Sequence, residues 1–485
     1  MTTGNISLQT GTSKLTIAQQ VVLFLGSCAA ILVSEWGEVS ILLPIGAIAI
    51  AVAIWATRSS MTVLFGYLAA IILIGLRMNK EEQKVGVPEV IVALIMCYAL
   101  FYVLYQKFIL KQSFSSVPLF SLLPVYVCWV LGIGVISIID LNTNFNNWFR
   151  EFLAFSSLFV VPILYRKAAR EHKNLDTQLF KFLVIFSIII LAVSVFRVRS
   201  TMLQATFLFQ TGFARFDIMN GAFMTLLLFT LAGATTLARK PIVMAGSILL
   251  AIGALVLTFN RTSWVAMILC LPAMYFLLTR AQRQPLKRVM LWMAVLTIGS
   301  VIVAIIIYPF VWTLIRFFFV RFLTSSNVKT DASLLGRYVE WRYVLKQIMA
   351  NPITGTGFGG QYWLYVWLTG NSMSTGYTHN GILLLLLKGG IVGLTLMSTL
   401  FVGFFVHGVK LIRSKYLTPL EHALCKLGLV CIVFLAFQML TVGIFIHREL
   451  IWYLGLIWGY FIVKKEKVDE LRIQEQHTEL ATVRD

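Results

Sequence analysis

Apolar stretches separated by short polar segments run through most of the chain. A helix needs about 20 mostly apolar residues to cross a bilayer, and on that rule the sequence predicts about fourteen spans. They fall near 16–34, 39–56, 61–76, 88–105, 119–139, 148–165, 179–197, 219–237, 242–258, 262–279, 289–308, 379–407, 422–444 and 449–463. The run after His379 is long and broken by Gly389-Gly390, which predicts a kink or a re-entrant piece. Over 309–378 the pattern changes to a polar stretch between two spans. Loops longer than about 12–15 residues are uncommon and usually functional. Inside this one, Leu334, Tyr338, Trp341, Leu345 and Ile348 recur at three- and four-residue spacing, so an amphipathic helix is expected over 334–349. Asn351-Pro352 ends it. The expected fold is all-α: a polytopic membrane protein with helices over 1–308 and 379–463, a large loop over 309–378 and a tail over 464–485.

Composition narrows the class. Of the 485 residues, 59% are hydrophobic and 12% charged, against roughly 45–50% and 25% in a soluble domain. That little charge cannot cover a soluble surface, which excludes a cytosolic enzyme, a nucleic-acid-binding protein and a disordered chain. The net charge of +20 comes from 40 Lys and Arg against 20 Asp and Glu. In a membrane protein such an excess marks cytoplasmic loops. Lys464, Lys465 and Lys467 place the tail inside, and counting back places 166–170, 239–240, 280–288 and 410–415 inside too. The loop 309–378 then lies outside, and the N-terminus lies inside. Residues 1–13 have no basic n-region, so the first apolar run reads as a span and not as a cleaved signal. The six cysteines sit in or beside apolar runs with no C-x-x-C pair, which argues against a zinc site or a disulfide framework.

The outer basic residues are mostly arginine, among them Arg215, Arg261, Arg337 and Arg342. Topology does not require them there. A guanidinium matches phosphate oxygens two at a time, which suggests a phosphorylated, membrane-bound ligand. Any one of them can instead be snorkelling to the headgroups. Arg261 stands out because it occupies a very short turn, Phe259-Asn260-Arg261-Thr262. Arg215 can pair with Asp217, and Arg337 can stack on Trp341 one turn away.

The segment Gly355-Thr356-Gly357-Phe358-Gly359 can point backbone N–H groups at phosphate. It follows a helix where a P-loop would follow a strand, so a nucleotide-binding reading fails on context. His379 sits where the long loop re-enters the membrane, placed to take a proton as a general base or to be an ordinary interfacial histidine. Lys388 is a charge within an apolar run, and its partner cannot be named from the sequence. There is no H-E-x-x-H, and the outer acids, Glu340 among them, are scattered, so metal-dependent and two-carboxylate mechanisms find little support.

Taken in order, these elements resemble the signature region of the O-antigen ligase / Wzy-type polymerase family. They are Arg337-x-x-x-Trp341, Asn351-Pro352-x-x-Gly355-x-Gly357-x-Gly359, His379-Asn380 and Gly390-Ile391-x-Gly393-Leu394. Upstream, Thr258-Phe259-Asn260-Arg261-Thr262-Ser263-Trp264 resembles that family's T-x-S-R-x-x-W turn, with Asn260 replacing its Ser. Arg215 with Asn220 resembles an earlier R…N element, where Met219-Asn220 stands for the usual Pro-Asn.

The resemblance implies a GT-C-like integral-membrane glycosyltransferase in the bacterial cytoplasmic (inner) membrane, its active site facing the periplasm or exterior. It would take a glycan from an undecaprenyl-diphosphate carrier and attach it to a glycan or lipid acceptor, with no metal and no cofactor. By position, Arg215, Arg261 and Arg337 would bind the diphosphate and His379 would activate the acceptor hydroxyl. Asn380, Trp341, Gly355, Gly357 and Asn220 would support the site. Its partners would be the bilayer, the lipid-linked donor, the acceptor and other polysaccharide assembly proteins, with no nucleic acid. The signature is common to polymerases and ligases, and the long span count leans towards a polymerase. Two other classes remain open: a lipid-linked oligosaccharide flippase, and a non-catalytic subunit of a polysaccharide assembly complex.

Overall fold

The computed structural model describes residues 59–77, 87–110, 118–139, 143, 145–185, 188, 220–236, 240–257, 261–307, 332–366, 371–441, 443, 445 and 448–482. The candidate spans at 16–34 and 39–56, most of 186–219 with Arg215, and 308–331 lie outside the described residues.

Helices dominate, as the apolar runs require: in a bilayer every backbone group must be satisfied within its own segment. In chain order they are α1 (Ser60–Arg77), α2 (Val87–Leu104), α3 (Pro118–Ile139), α4 (Phe145–Glu171), α5 (Asn220–Thr236) and α6 (Pro241–Leu257). There follow α7 (Arg261–Leu277), α8 (Arg280–Ile307), α9 (Ala332–Ala350), α10 (Gly381–Leu411), α11 (Pro419–Met439) and α12 (Arg448–Thr482). Six of the described helices are long and apolar enough to cross a membrane. The protein is membrane-embedded and mostly helical.

Three details differ from expectation. The basic segment 280–288, expected as a loop, is the first part of α8, because Arg, Ala, Gln, Lys and Leu are good helix formers. Helix α12 runs through the boundary at 463/464 into the tail, where a Lys- and Glu-rich sequence with no Gly or Pro offers nothing to stop it. The loop 309–378 is also not purely helical. After α9, which matches the predicted amphipathic helix, it forms a two-stranded antiparallel hairpin, β1 (Tyr362–Val366) on β2 (Asn371–Thr375). The run Tyr362-Trp363-Leu364-Tyr365-Val366 is aromatic and branched, the composition that strands favour.

Helix α4 is the buried axis of the bundle. Helix α12 lies along it through Gly455 and Gly459, a pair four residues apart. A Cβ on Gly455 would stand 2.8 Å from the Ser157 carbonyl oxygen, and one on Gly459 would stand 3.0 Å from Pro162 Cα. Small residues at this spacing let helix backbones approach closely. Helix α8 lies at the opposite extreme, with Leu291, Val295, Ile298, Ile302 and Ile306 all exposed. Apolar side chains covering one long helix belong against lipid.

Candidate active site

The site forms where the loop 332–380 meets the membrane helices. Helix α9 turns Glu340, Val344 and Ile348 to one side, since residues four apart share a face. Val344 and Ile348 join Tyr362 of β1 and Leu387 of α10 in a small apolar cluster. That contact carries Glu340 to the start of α10. There the buried Glu340 carboxylate accepts the backbone N–H of His379 at 2.7 Å and meets the imidazole Nδ1 at 2.6 Å. The edge of the Tyr377 ring packs against the imidazole, and the Tyr362 hydroxyl donates to the Tyr377 carbonyl at 2.6 Å. Burial tends to raise the Glu340 pKa, but its bonds to His379 outweigh that and hold it below the ordinary carboxylate value. Burial and the Glu340 charge push the Tyr362 phenol far up, so it stays a donor.

Glu340 is the site residue that the sequence reading passed over as one scattered acid. Its signal was positional: it lies one turn after Arg337 on the same face as two buried aliphatics.

Asn380 caps α10, its side-chain oxygen accepting from the N–H groups of Ile382 and Leu383 at 2.9 and 3.0 Å. Its amide also donates to the Leu440 carbonyl at the end of α11. That end is tied in turn to the start of α7: Thr441 bonds Thr262 at 2.9 Å, and Gln438 donates to Ser263 at 2.8 Å. The start of α7, whose first residue is Arg261, is thus linked through α11 to His379-Asn380.

Arg337 is half-buried and makes no ion pair among the described residues. The stack of Arg337 on Trp341 that their spacing allows is not formed; the Trp341 ring meets Tyr338 at 5.5 Å. The Trp341 indole N–H is buried without an acceptor among the described residues. Asn220 opens α5.

In the glycine-rich loop, the N–H groups that the sequence left open for phosphate are engaged inside the protein. Gly355 donates to Asn351, Thr356 to the Leu387 carbonyl, Gly357 to the Lys388 carbonyl and Gly359 to the Glu151 carboxylate. The carbonyls at 387 and 388 are available because α10 breaks at Gly390 (φ 59°, ψ −160°), the kink expected at Gly389-Gly390. Ile391 completes the splice by donating to the Pro352 carbonyl at 2.9 Å.

Beneath the loop, the fully buried Lys388 ammonium bonds Glu151 of α4 at 2.9 Å and the Gly360 carbonyl at 2.7 Å. This is the partner that the sequence could not name. Phe358, also fully buried, inserts between Phe152 and Phe155 of α4. Gly355 and Gly357, both at positive φ, shape this clamp. Among the described residues, no three His, Cys, Asp or Glu side chains gather as metal ligands do.

Residues 246–398 match the family model described as O-antigen ligase. Over that segment the chain is similar to the O-antigen ligase, Wzy-type family. No curated protein matches the chain. The family segment holds Arg261, Arg337, Trp341, the glycine-rich loop, His379 and Asn380, whereas Arg215 and Asn220 precede it.

Proposed function

We propose that the chain is an integral-membrane glycosyltransferase moving a glycan from undecaprenyl diphosphate to an acceptor hydroxyl at the outer face of the bacterial cytoplasmic membrane. One observation carries the reading. Inside the O-antigen ligase segment, a half-exposed histidine is held by a buried carboxylate, one helical turn from an arginine that makes no ion pair among the described residues.

The chemistry follows from those groups. The acceptor oxygen loses its proton to His379 and forms a bond to the anomeric carbon. The bond from that carbon to the diphosphate oxygen breaks, and the electron pair leaves on the lipid diphosphate. One displacement inverts the anomeric centre. Preplaced positive charge where the leaving group becomes anionic is usually the largest catalytic contribution, and Arg337, Arg261 and Arg215 are assigned that role. General-base help adds about 10²–10⁴-fold. The reading needs no metal, because guanidiniums supply the charge that a cation otherwise would.

The outer-face assignment rests on the two ends of α4 and α11. At one end, Glu151 accepts from Gly359 of the loop and Gln438 donates to Ser263 of α7. At the other, Arg166 pairs with Glu466, while Lys464 and Lys467 pair with Glu421. The basic tail and the candidate site thus occupy opposite ends of the same helices, and the positive-inside rule puts the tail in the cytoplasm.

The test is His379→Ala and, separately, Arg261→Ala in the native host, with surface glycan resolved on a gel. The expected outcome is loss of the polymer ladder at normal protein level, and single repeats left on the lipid identify a polymerase. Unchanged polymer in both variants refutes glycosyl transfer. Transfer by the purified protein in excess EDTA checks metal independence, which complete loss of activity contradicts.

A further inference from the structure

We infer that Glu340 is the positioning residue of the reaction, fixing His379 as the Nδ1–H tautomer so that its Nε2 is the proton acceptor. This deepens the glycosyltransferase reading and rests on it.

The geometry makes the choice of nitrogen chemical. An ionised carboxylate has only lone pairs to offer, so a contact of 2.6 Å to Nδ1 requires the hydrogen to be on that nitrogen. A neutral imidazole carries one N–H, and Nε2 is then left with its lone pair. Glu340 stays ionised because its folded-state value is lowered, so its carboxylate gives up this acceptor role only as the pH falls through that lowered value.

The carboxylate also grips the backbone. Its other oxygen accepts the His379 N–H at 2.7 Å, so side chain and main chain are located by one group. The Glu340 side chain is 6% exposed and the His379 side chain 45% exposed. The carboxylate is thus sealed from solvent while much of the imidazole stays open to the surface. Tyr377 closes one side of the ring at 4.8 Å and is held through its own carbonyl by Tyr362.

In the reaction, the acceptor O–H proton moves to Nε2 as the oxygen bonds to the anomeric carbon. The imidazolium so formed keeps both N–H bonds, and the ionised Glu340 beside Nδ1 stabilises it without itself taking the proton. The proton then passes from Nε2 to water, which restores the base. A histidine left free to rotate or to change tautomer would present Nδ1, Nε2–H or neither to the acceptor.

The experiment uses full-length protein in lipid nanodiscs with ¹⁵N-histidine, His379 being assigned by difference from His379→Ala. The nitrogen shifts of neutral His379 report its tautomer whether or not the protein turns over. The wild type is expected to be Nδ1–H with bare Nε2, and Glu340→Gln to raise the share of Nε2–H. In transfer assays with lipid-diphosphate glycan, Glu340→Gln should lower kcat about 10²-fold with little change in donor KM, and Glu340→Asp should recover part of it. An Nε2–H wild type, or a Glu340→Gln variant with unchanged tautomer and rate, overturns the inference. If His379→Ala abolishes transfer while Glu340→Gln is silent, the transferase reading stands and only the positioning role fails. If the tautomer shifts and neither variant changes transfer, Glu340 sets the tautomer but the positioning role in the reaction fails; if the tautomer shifts while the wild type transfers nothing, the contact is real and the glycosyltransferase reading is what fails.

Discussion

Lys388 has no exposed surface, and its ammonium lies 2.9 Å from the Glu151 carboxylate. Breaking a buried pair leaves the other charge uncompensated, so Lys388→Met should destabilise the protein by about 3–5 kcal/mol. Thermal unfolding of the purified protein measures this, and adding Glu151→Gln to Lys388→Met should return part of the loss. At the scale of single residues the sequence was informative about identity and poor on pairing. His379, Asn380 and Arg337 were legible because their spacing is local and their chemistry unusual for an apolar chain. The links from Glu340 to His379 and from Glu151 to Lys388 span 39 and 237 residues, and nothing in a linear pattern encodes which distant acid arrives. Where the N–H groups of the glycine-rich loop go was closed to the sequence for a related reason. Glycine supplies the required positive φ, 70° and 75° here, whatever its N–H groups go on to bind.

Helix α10 shows why an element can break and remain ordered. An interrupted helix leaves unpaired carbonyls, which are costly to bury unless something donates to them. Here the Thr356 and Gly357 N–H groups donate, and Ile391 returns a bond to Pro352. Gly390 sits in a conformation that L side chains avoid, and a Cβ there would collide with the Ile353 carbonyl. Gly390→Ala should therefore unseat the loop 351–360 while leaving the membrane helices in place. Limited proteolysis should show faster cleavage in that loop, accompanied by loss of transfer. Asn380→Ala is expected to be milder, about 1 kcal/mol, because a helix cap and one long bond to the Leu440 carbonyl are lost. The break itself was readable from Gly389-Gly390. The hairpin β1–β2 was not, since a short aromatic run beside a membrane resembles a piece of helix until its partner strand is known.

Across the whole molecule, the bundle is organised around α4, which carries the loop clamp near its start and an ion pair to α12 near its end. Gly455 and Gly459 set how closely α12 approaches it. Gly455→Leu should force the two helices apart and lower the unfolding temperature. The tautomer of His379 should be unchanged in protein that remains folded, because Glu340 and His379 lie on other elements; thermal scans and the histidine spectra check the two halves. The sequence by itself determined the membrane class, the helical architecture and the amphipathic helix α9. Each of these follows from local periodicity or composition, which the solvent reads residue by residue. Only the tertiary structure decided which acid orients His379, what neutralises Lys388, where the loop's N–H groups go and how the start of α7 is tied to His379-Asn380. Those are contacts between segments far apart in the chain, selected by close packing and by the cost of leaving a buried charge or hydrogen-bonding group unpaired.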